Sequence, residues 1–284
     1  MSDLVQRKAK GFFSVEIEDD GKKLTAAARE GRITIIVGLL STNMVDINMW
    51  FDIGWEEDSE EEEYHTTTPL YEAARNDHTD IVRLLLDKGA KPNIPDEYGE
   101  AEGESPLKTA ARNGHKDVVK LLIDRGADPN MFNEHKEDTA LHDAARMGHN
   151  DVIQMLLDIG ADPNIVNLDG DTPLHNAAKH GHIDVVQKLL NIGSDPNIAN
   201  DDGDTPLYLS VRFGHKNIVV LLLSKDANPN PHKKHWYEEE SPLTAALDGG
   251  KSDLAQILLD AGAEPNEEDQ EKMERLGCFT YFDF

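Results

Sequence analysis

Apolar positions in this chain follow one arrangement that returns again and again. A Leu stands two places after Thr or Ser, an Ala pair follows three and four places later, and a Val/Ile and Leu-Leu cluster comes after a glycine. The clearest copies are TPLHNAAKHGHIDVVQKLLNIGSDPN (172–197) and SPLKTAARNGHKDVVKLLIDRGADPN (105–130). The phrase opens at Thr68, Ser105, Thr139, Thr172, Thr205 and Ser241, in steps of 37, 34, 33, 33 and 36 residues. A weaker copy, LTAAAREGRITIIVGLL, begins at Leu24 without the opening Thr-Pro. A period of this length marks a repeat architecture.

Local rules convert each copy into elements. Thr172 is a natural N-cap, and Pro173 suits the first helical position, where no N–H is needed. Leu174, Ala177 and Ala178 give a short helix with a small face, and Gly181 breaks it. Val185, Val186, Leu189 and Leu190 recur at helical spacing in a second helix, and Gly193 ends it in the left-handed region. Asp195-Pro196-Asn197 begins a turn, and Asn200-Asp201-Asp202-Gly203 leads into the next Thr-Pro. Helices this short depend on tertiary packing, so the units must stack and bury their stripes against one another.

These residues resemble the ankyrin repeat. The phrase T-P-L-H-x-A-A-x-x-G-H … L-L-x-x-G-A-D-P-N is kept in length and order through six copies, and with the first, weaker one the copies cover 24–266, or 243 of 284 residues. The resemblance implies an all-α repeat solenoid: stacked helix-turn-helix units with projecting β-hairpin-like fingers. Residues 1–23 read as an N-terminal arm or cap, 24–266 as about seven repeats with atypical ends, and 267–284 as a C-terminal helix (Glu267 to Leu276) with the aromatic tail CFTYFDF. Asp77 replaces an inter-helix glycine and Asp226 a C-cap glycine, and Asp tolerates the left-handed region better than most residues. Ala140 replaces Pro, while Ser210-Val211 and Ala246-Leu247 replace the Ala pair.

Insertions break the monotony, and all fall between helices: Met49 to Thr67, Ile94 to Glu104 and Pro231 to Glu240. They hold all three tryptophans, Trp50, Trp55 and Trp236, with Phe51, Tyr64, Tyr98 and Tyr237. Around them stand Glu56 to Glu63, Asp96, Glu97, Glu100, Glu102, Glu104 and Glu238 to Glu240. Trp and Tyr dominate binding hot spots, and an acidic rim steers a basic partner. The competing reading folds Trp50 and Phe51 back onto the repeats and leaves the acidic run as a solvated loop.

A second row follows the Ala pair: Arg29, Arg75, Arg112, Arg146, Lys179 and Arg212. The next residue varies and includes Met147, His180 and Phe213. The resemblance places these positions on a concave face, beside finger residues such as Phe132, Glu134, Leu168, Asp169, Asp171, Asp201, Asp202 and Asp204. Each cation either pairs with a neighbouring carboxylate or recognises one on a partner.

Composition narrows the function. The chain carries 28 Lys+Arg against 55 Asp+Glu, a formal charge of −27. That argues against nucleic acid or anionic lipid through the bulk surface and favours a basic protein partner. One cysteine, Cys278, excludes a disulfide framework and fits a cytoplasmic or other reducing compartment. No apolar run is long enough to span a membrane, and residues 1–23 lack the apolar core of a signal peptide. His78, His115, His149, His182 and His215 recur after the inter-helix position, and His142 and His175 are the motif's fourth residue; all read as structural. His232 and His235, with Glu238, supply too few ligands for zinc. Gly250-Lys251-Ser252 mimics the end of a phosphate loop, but Ala245 stands where a glycine is required and a helix precedes it.

The expected function is therefore a non-catalytic protein-interaction module, monomeric when unbound, with no cofactor, metal or catalytic residue. A metal- or cofactor-dependent enzyme using His232, His235 and Glu238 or Cys278 is the rival, and a microbial effector acting on host proteins through the same surface is another. The turn asparagines Asn93, Asn130, Asn164, Asn197 and Asn230 match, by resemblance, the target position of asparaginyl hydroxylases.

Overall fold

Residues 19–42, 45–52, 66–96, 103–132, 138–231 and 240–278 are described by the computed structural model. The first helix, α1, covers 19–29 of these, and α2 is Ile33–Ser41. Each later copy of the phrase forms one helix pair. The pairs are α3 (Pro69–Arg75) with α4 (Thr79–Asp87), α5 (Pro106–Asn113) with α6 (Lys116–Asp124), and α7 (Ala140–Met147) with α8 (Asn150–Asp158). They continue with α9 (Pro173–His180) and α10 (Ile183–Asn191), α11 (Pro206–Arg212) and α12 (Lys216–Leu223), and α13 (Pro242–Asp248) and α14 (Ser252–Asp260). Helix α15 is Glu267–Leu276, the span expected from sequence. Strands β1 (Phe51–Asp52) and β2 (Thr66–Thr67) pair antiparallel, Phe51 opposite Thr67.

The caps behave as the sequence predicts. The hydroxyls of Thr68, Ser105, Thr205 and Ser241 accept from the backbone N–H three residues on, at 3.1–3.2 Å, with Pro at the first helical position. Asp77 and Asp226 both adopt the left-handed conformation, φ 58° and 62°. The substitutions therefore preserve the backbone path that glycine takes elsewhere.

The chain forms two compact units, Met1–Ala140 with Asp158–Gly160, and Leu141–Leu157 with Ala161–Phe284. In the first, α3 packs on α5 and α4 on α6. In the second, α9, α11 and α13 form one layer and α10, α12 and α14 another, with α15 covering α13. The Ala pairs lie between the layers and are buried, including Ala110, Ala111, Ala177 and Ala178 at 0% exposure. Within each unit the packing is that of an all-α repeat solenoid, whose core is continuous along the stack.

Two ladders fasten successive repeats. His78 Nε2 bonds the Arg29 carbonyl (2.9 Å) and His115 that of Arg75 (3.1 Å); in the second unit His182 bonds Arg146 (2.8 Å) and His215 bonds Lys179 (3.1 Å). Each ring lies against the preceding repeat's inter-helix residue, and a Cβ added at Gly181 would meet the His215 ring at 2.6 Å. In the last repeat Lys251 replaces the histidine, and its Nζ donates to the carbonyls of Val211 (3.0 Å) and Arg212 (2.7 Å). The phosphate-loop look-alike is thus one more rung. The turn asparagines form the second ladder. Asn197 Nδ2 donates to the Asp226 carbonyl (3.1 Å) while its Oδ1 accepts from the Asn228 N–H (2.7 Å), and Asn230 treats Gly262 (2.9 Å) and Glu264 (2.8 Å) the same way.

Candidate partner-binding surface

The fingers begin from how the chain leaves each turn. Asn200 Oδ1 accepts from the Asp204 N–H, and the Asn200 N–H donates to the Asp204 carbonyl, at 2.8 and 2.9 Å. Asn167 and Asp171 repeat the arrangement, at 2.9 and 3.0 Å. The Asp201 N–H then donates to the Asp169 carbonyl (3.0 Å), joining one fingertip to the next. A Cβ at Gly170 (φ 74°) would approach that Asp201 nitrogen to 2.7 Å, which is why glycine stands there. Leu168, Asp169, Asp201 and Asp202 are left exposed at the tips.

Several fingers are anchored at the base by the fourth residue of the preceding phrase. His142 Nε2 bonds the Asp171 carbonyl (3.0 Å) and His175 Nε2 the Asp204 carbonyl (3.1 Å). Where the fourth residue is Tyr, the acceptor is a glutamate side chain: Tyr71 OH donates to Glu104 (3.0 Å) and Tyr208 OH to Glu240 (2.5 Å). In the last repeat Thr244 reaches Asp269 of α15 at 3.2 Å. Burial pushes the Tyr71 and Tyr208 hydroxyls well above the usual phenol range, with the neighbouring carboxylates adding to it. It holds His175 down to about 4, so this ring stays neutral.

Part of the expected acidic rim is therefore not a rim. Glu104 and Asp96 are 1% and 3% exposed. The Asp96 carboxylate accepts from the Glu104 N–H at 2.5 Å, and the Asp96 N–H donates to the Glu104 carbonyl at 3.0 Å. Arg112 pairs with Glu104 as well. Burial pushes Asp96 up to about 6, reinforced by the charges of Glu104 and Glu72. Asp171 and Asp204 are buried too, because the residue before Thr-Pro lies under the finger rather than at its tip. Asn200 Nδ2 donates to Asp171 at 2.7 Å, while burial raises that carboxyl.

The cation row divides. Arg29 pairs with Glu72 of α3 (3.0 Å), Arg112 with Glu104, and Arg146 with Asp143 one turn earlier on α7. Arg75, Lys179 and Arg212 are exposed. Trp50 is half-exposed, and its Nε1 donates to the Pro95 carbonyl (2.7 Å), tying one insertion to the base of the next. Phe51 is buried against Gly21. Met147, Leu168, Phe213 and Phe132 remain 49–52% exposed, although each is a large apolar side chain. His180 is exposed and its Nδ1 bonds the Asn176 carbonyl (2.9 Å). Trp55, Tyr64, Tyr98, Trp236 and Tyr237 lie outside the described residues, as do His232, His235, Glu238, Glu134 and the tail from Phe279.

The Tyr–Glu anchors are the functional-site feature that repeat spacing does not announce. Their signal is a pairing across copies: Tyr at the fourth position accompanies Glu before the next Ser-Pro, in the two repeats that carry the 94–104 and 231–240 insertions. Cys278 is buried, its Sγ 3.6 Å from the Ser252 carbonyl, and burial raises its thiol. No three His, Cys, Asp or Glu side chains converge as metal ligands among the described residues. Nor is any described helix long and apolar enough to cross a membrane.

A family model described as ankyrin repeats (3 copies) matches residues 4–96, 24–133, 92–167, 130–200 and 174–269. The putative ankyrin repeat protein YahD of Escherichia coli (strain K12) is 34% identical over 85 residues, which is 28% of this chain and 36% of that protein. The matched stretch spans about a third of that relative's length. With the capped helix pairs, the histidine and asparagine ladders and family matches that together run from residue 4 to 269, the chain belongs to the ankyrin-repeat family.

Proposed function

We propose that this chain is a non-catalytic protein-interaction module that binds a basic protein partner through the exposed ends of the first helix of each pair and the fingers, and that it is monomeric until it does so. Proteins of this family serve generally as protein-binding scaffolds. The observation that supports the reading here is that one unit leaves the large apolar side chains of Met147, Leu168 and Phe213 half in water and also exposes the carboxylates of Asp169, Asp201 and Asp202. Exposed apolar groups set among polar neighbours mark association sites, and carboxylates around them speed the approach of a cation-rich surface. The repeats fix these groups before any partner arrives, so little ordering entropy is lost on binding. In this proposal the inserted aromatics Trp55 and Trp236 also contact the partner.

Capture from a cell extract tests it. Wild type is compared with a Met147→Ala, Phe213→Ala variant and with a Trp55→Ala, Trp236→Ala variant, each checked for unchanged helical circular dichroism. Each pair is expected to weaken capture of a common partner about tenfold, and raising salt from low to high is expected to release it. Capture indifferent to both variants and to salt would remove the proposal.

A further inference from the structure

The second unit carries a regular row that suits one kind of segment. Met147, His180 and Phe213 each follow the residue whose carbonyl takes part in the repeat-to-repeat ladder, Arg146 and Lys179 bonding His182 and His215 and Arg212 bonding Lys251. They therefore occupy the same place in three successive repeats. Neighbouring packed helices lie about 8–10 Å apart, so the row offers one contact at about that interval. Met147 and Phe213 are half-exposed apolar ends of it, and His180 is an exposed ring held by Asn176 and stacked on His182 with centroids 6.4 Å apart.

Three backbone geometries can be set against that interval. A β-strand turns successive side chains to opposite faces, so residues three apart do not share a side. It also needs ladder partners, and the finger backbone at Asn167, Gly170, Asp201 and Asn200 is already bonded. An α-helix presents a stripe wide enough for pairs of residues per turn, whereas this row is single-file and flanked by Arg146, Lys179 and Arg212. A polyproline II segment has three residues per turn and rises about 3.1 Å each, so every third side chain faces one way at about 9 Å. Its backbone stays hydrated and asks nothing of the surface.

Resting on the interaction role proposed above, we infer that this row binds a proline-rich segment in polyproline II form, with an apolar residue at every third position and Lys or Arg between. The apolar residues sit on Met147, His180 and Phe213. The basic residues face the fingertip carboxylates Asp169 and Asp202, which are exposed and set in a chain of formal charge −27. Of the three flanking cations Arg146 is paired with Asp143, while Lys179 and Arg212 are exposed and repel the segment's basic residues, which turns those residues to the fingertip side.

The probe is a fluorescein-labelled peptide of four Lys-Pro-Leu repeats, measured by anisotropy against the full chain at low salt. A composition-matched peptide with its leucines clustered, and a helix-forming peptide with Leu at every seventh residue, are run beside it. The periodic peptide is expected to bind about fivefold or more tighter than both. Met147→Ala with Phe213→Ala is expected to reduce it to the clustered peptide's level, and Asp169→Asn with Asp202→Asn to weaken both basic peptides and flatten their salt dependence. Equal affinity for the periodic and clustered peptides, tighter binding of the helical one, or a preference that survives the Met147/Phe213 change overturns the inference. If extract capture still depends on those residues, the interaction role stands without it; if capture is indifferent too, both fall.

Discussion

Two buried titratable groups give the chain opposed responses to acid. The Asp96 carboxyl, raised to about 6 by burial, is favoured protonated in the folded state. Its contribution to stability is present below the ordinary carboxylate value and is lost as pH rises through about 6. His175, lowered to about 4, is favoured neutral. Its contribution is present above the ordinary imidazole value and is lost as pH falls toward about 4. The shifts correspond to about 3 kcal/mol each, as an order of magnitude. Asp96→Asn keeps an acceptor for the Glu104 N–H and removes the charge. It is expected to raise stability at pH 7.5 by about 1–3 kcal/mol and to make no difference below pH 4, read by urea unfolding at both values. Amide exchange, corrected for intrinsic rates, should show α9 opening more readily at pH 5 than at pH 7.5.

Among the elements, the fingers show how one scaffold position takes two chemistries. His at the fourth place bonds a backbone carbonyl, whereas Tyr reaches further and takes a glutamate side chain. The longer reach goes with the longer insertions. Tyr71→Phe keeps the packing and removes the donor, leaving the buried Glu104 carboxylate to Arg112. It is expected to cost about 1–3 kcal/mol, because a buried charged acceptor loses a bond. Chemical denaturation measures that, and a loss below about 0.5 kcal/mol would show that the Tyr71 hydroxyl does not anchor the finger. Helix starts marked by Thr-Pro or Ser-Pro, and the Gly and Asp77 breaks after them, were legible in advance, since those residues act on their own neighbours. Finger bases were not, because Asp96, Glu104, Asp171 and Asp204 look like any surface acid until the next repeat arrives above them.

Across the chain, a formal charge of −27 is spread over many short repeats, so like charges crowd along their exposed edges. Self-repulsion of that kind weakens the compact state and is screened by salt. The midpoint of thermal unfolding is expected to rise by a few degrees between 10 and 300 mM NaCl. Sedimentation is expected to give one species of 31.6 kDa at both concentrations. A midpoint that falls with salt would mean that attractive ion pairs such as Arg29–Glu72 and Arg112–Glu104 outweigh the net charge.

The amino-acid order alone determined the repeat, its helix limits and the left-handed residues at Asp77 and Asp226, because caps, turns and apolar periodicity act over a few neighbouring positions. Only the folded arrangement decided which acids are buried, that Lys251 serves as a rung in place of histidine, that Trp50 fastens to Pro95, and that Met147 and Phe213 stay in water. Those outcomes depend on which groups the adjacent repeat brings within hydrogen-bonding reach, across roughly thirty residues of chain, and no local rule carries that far.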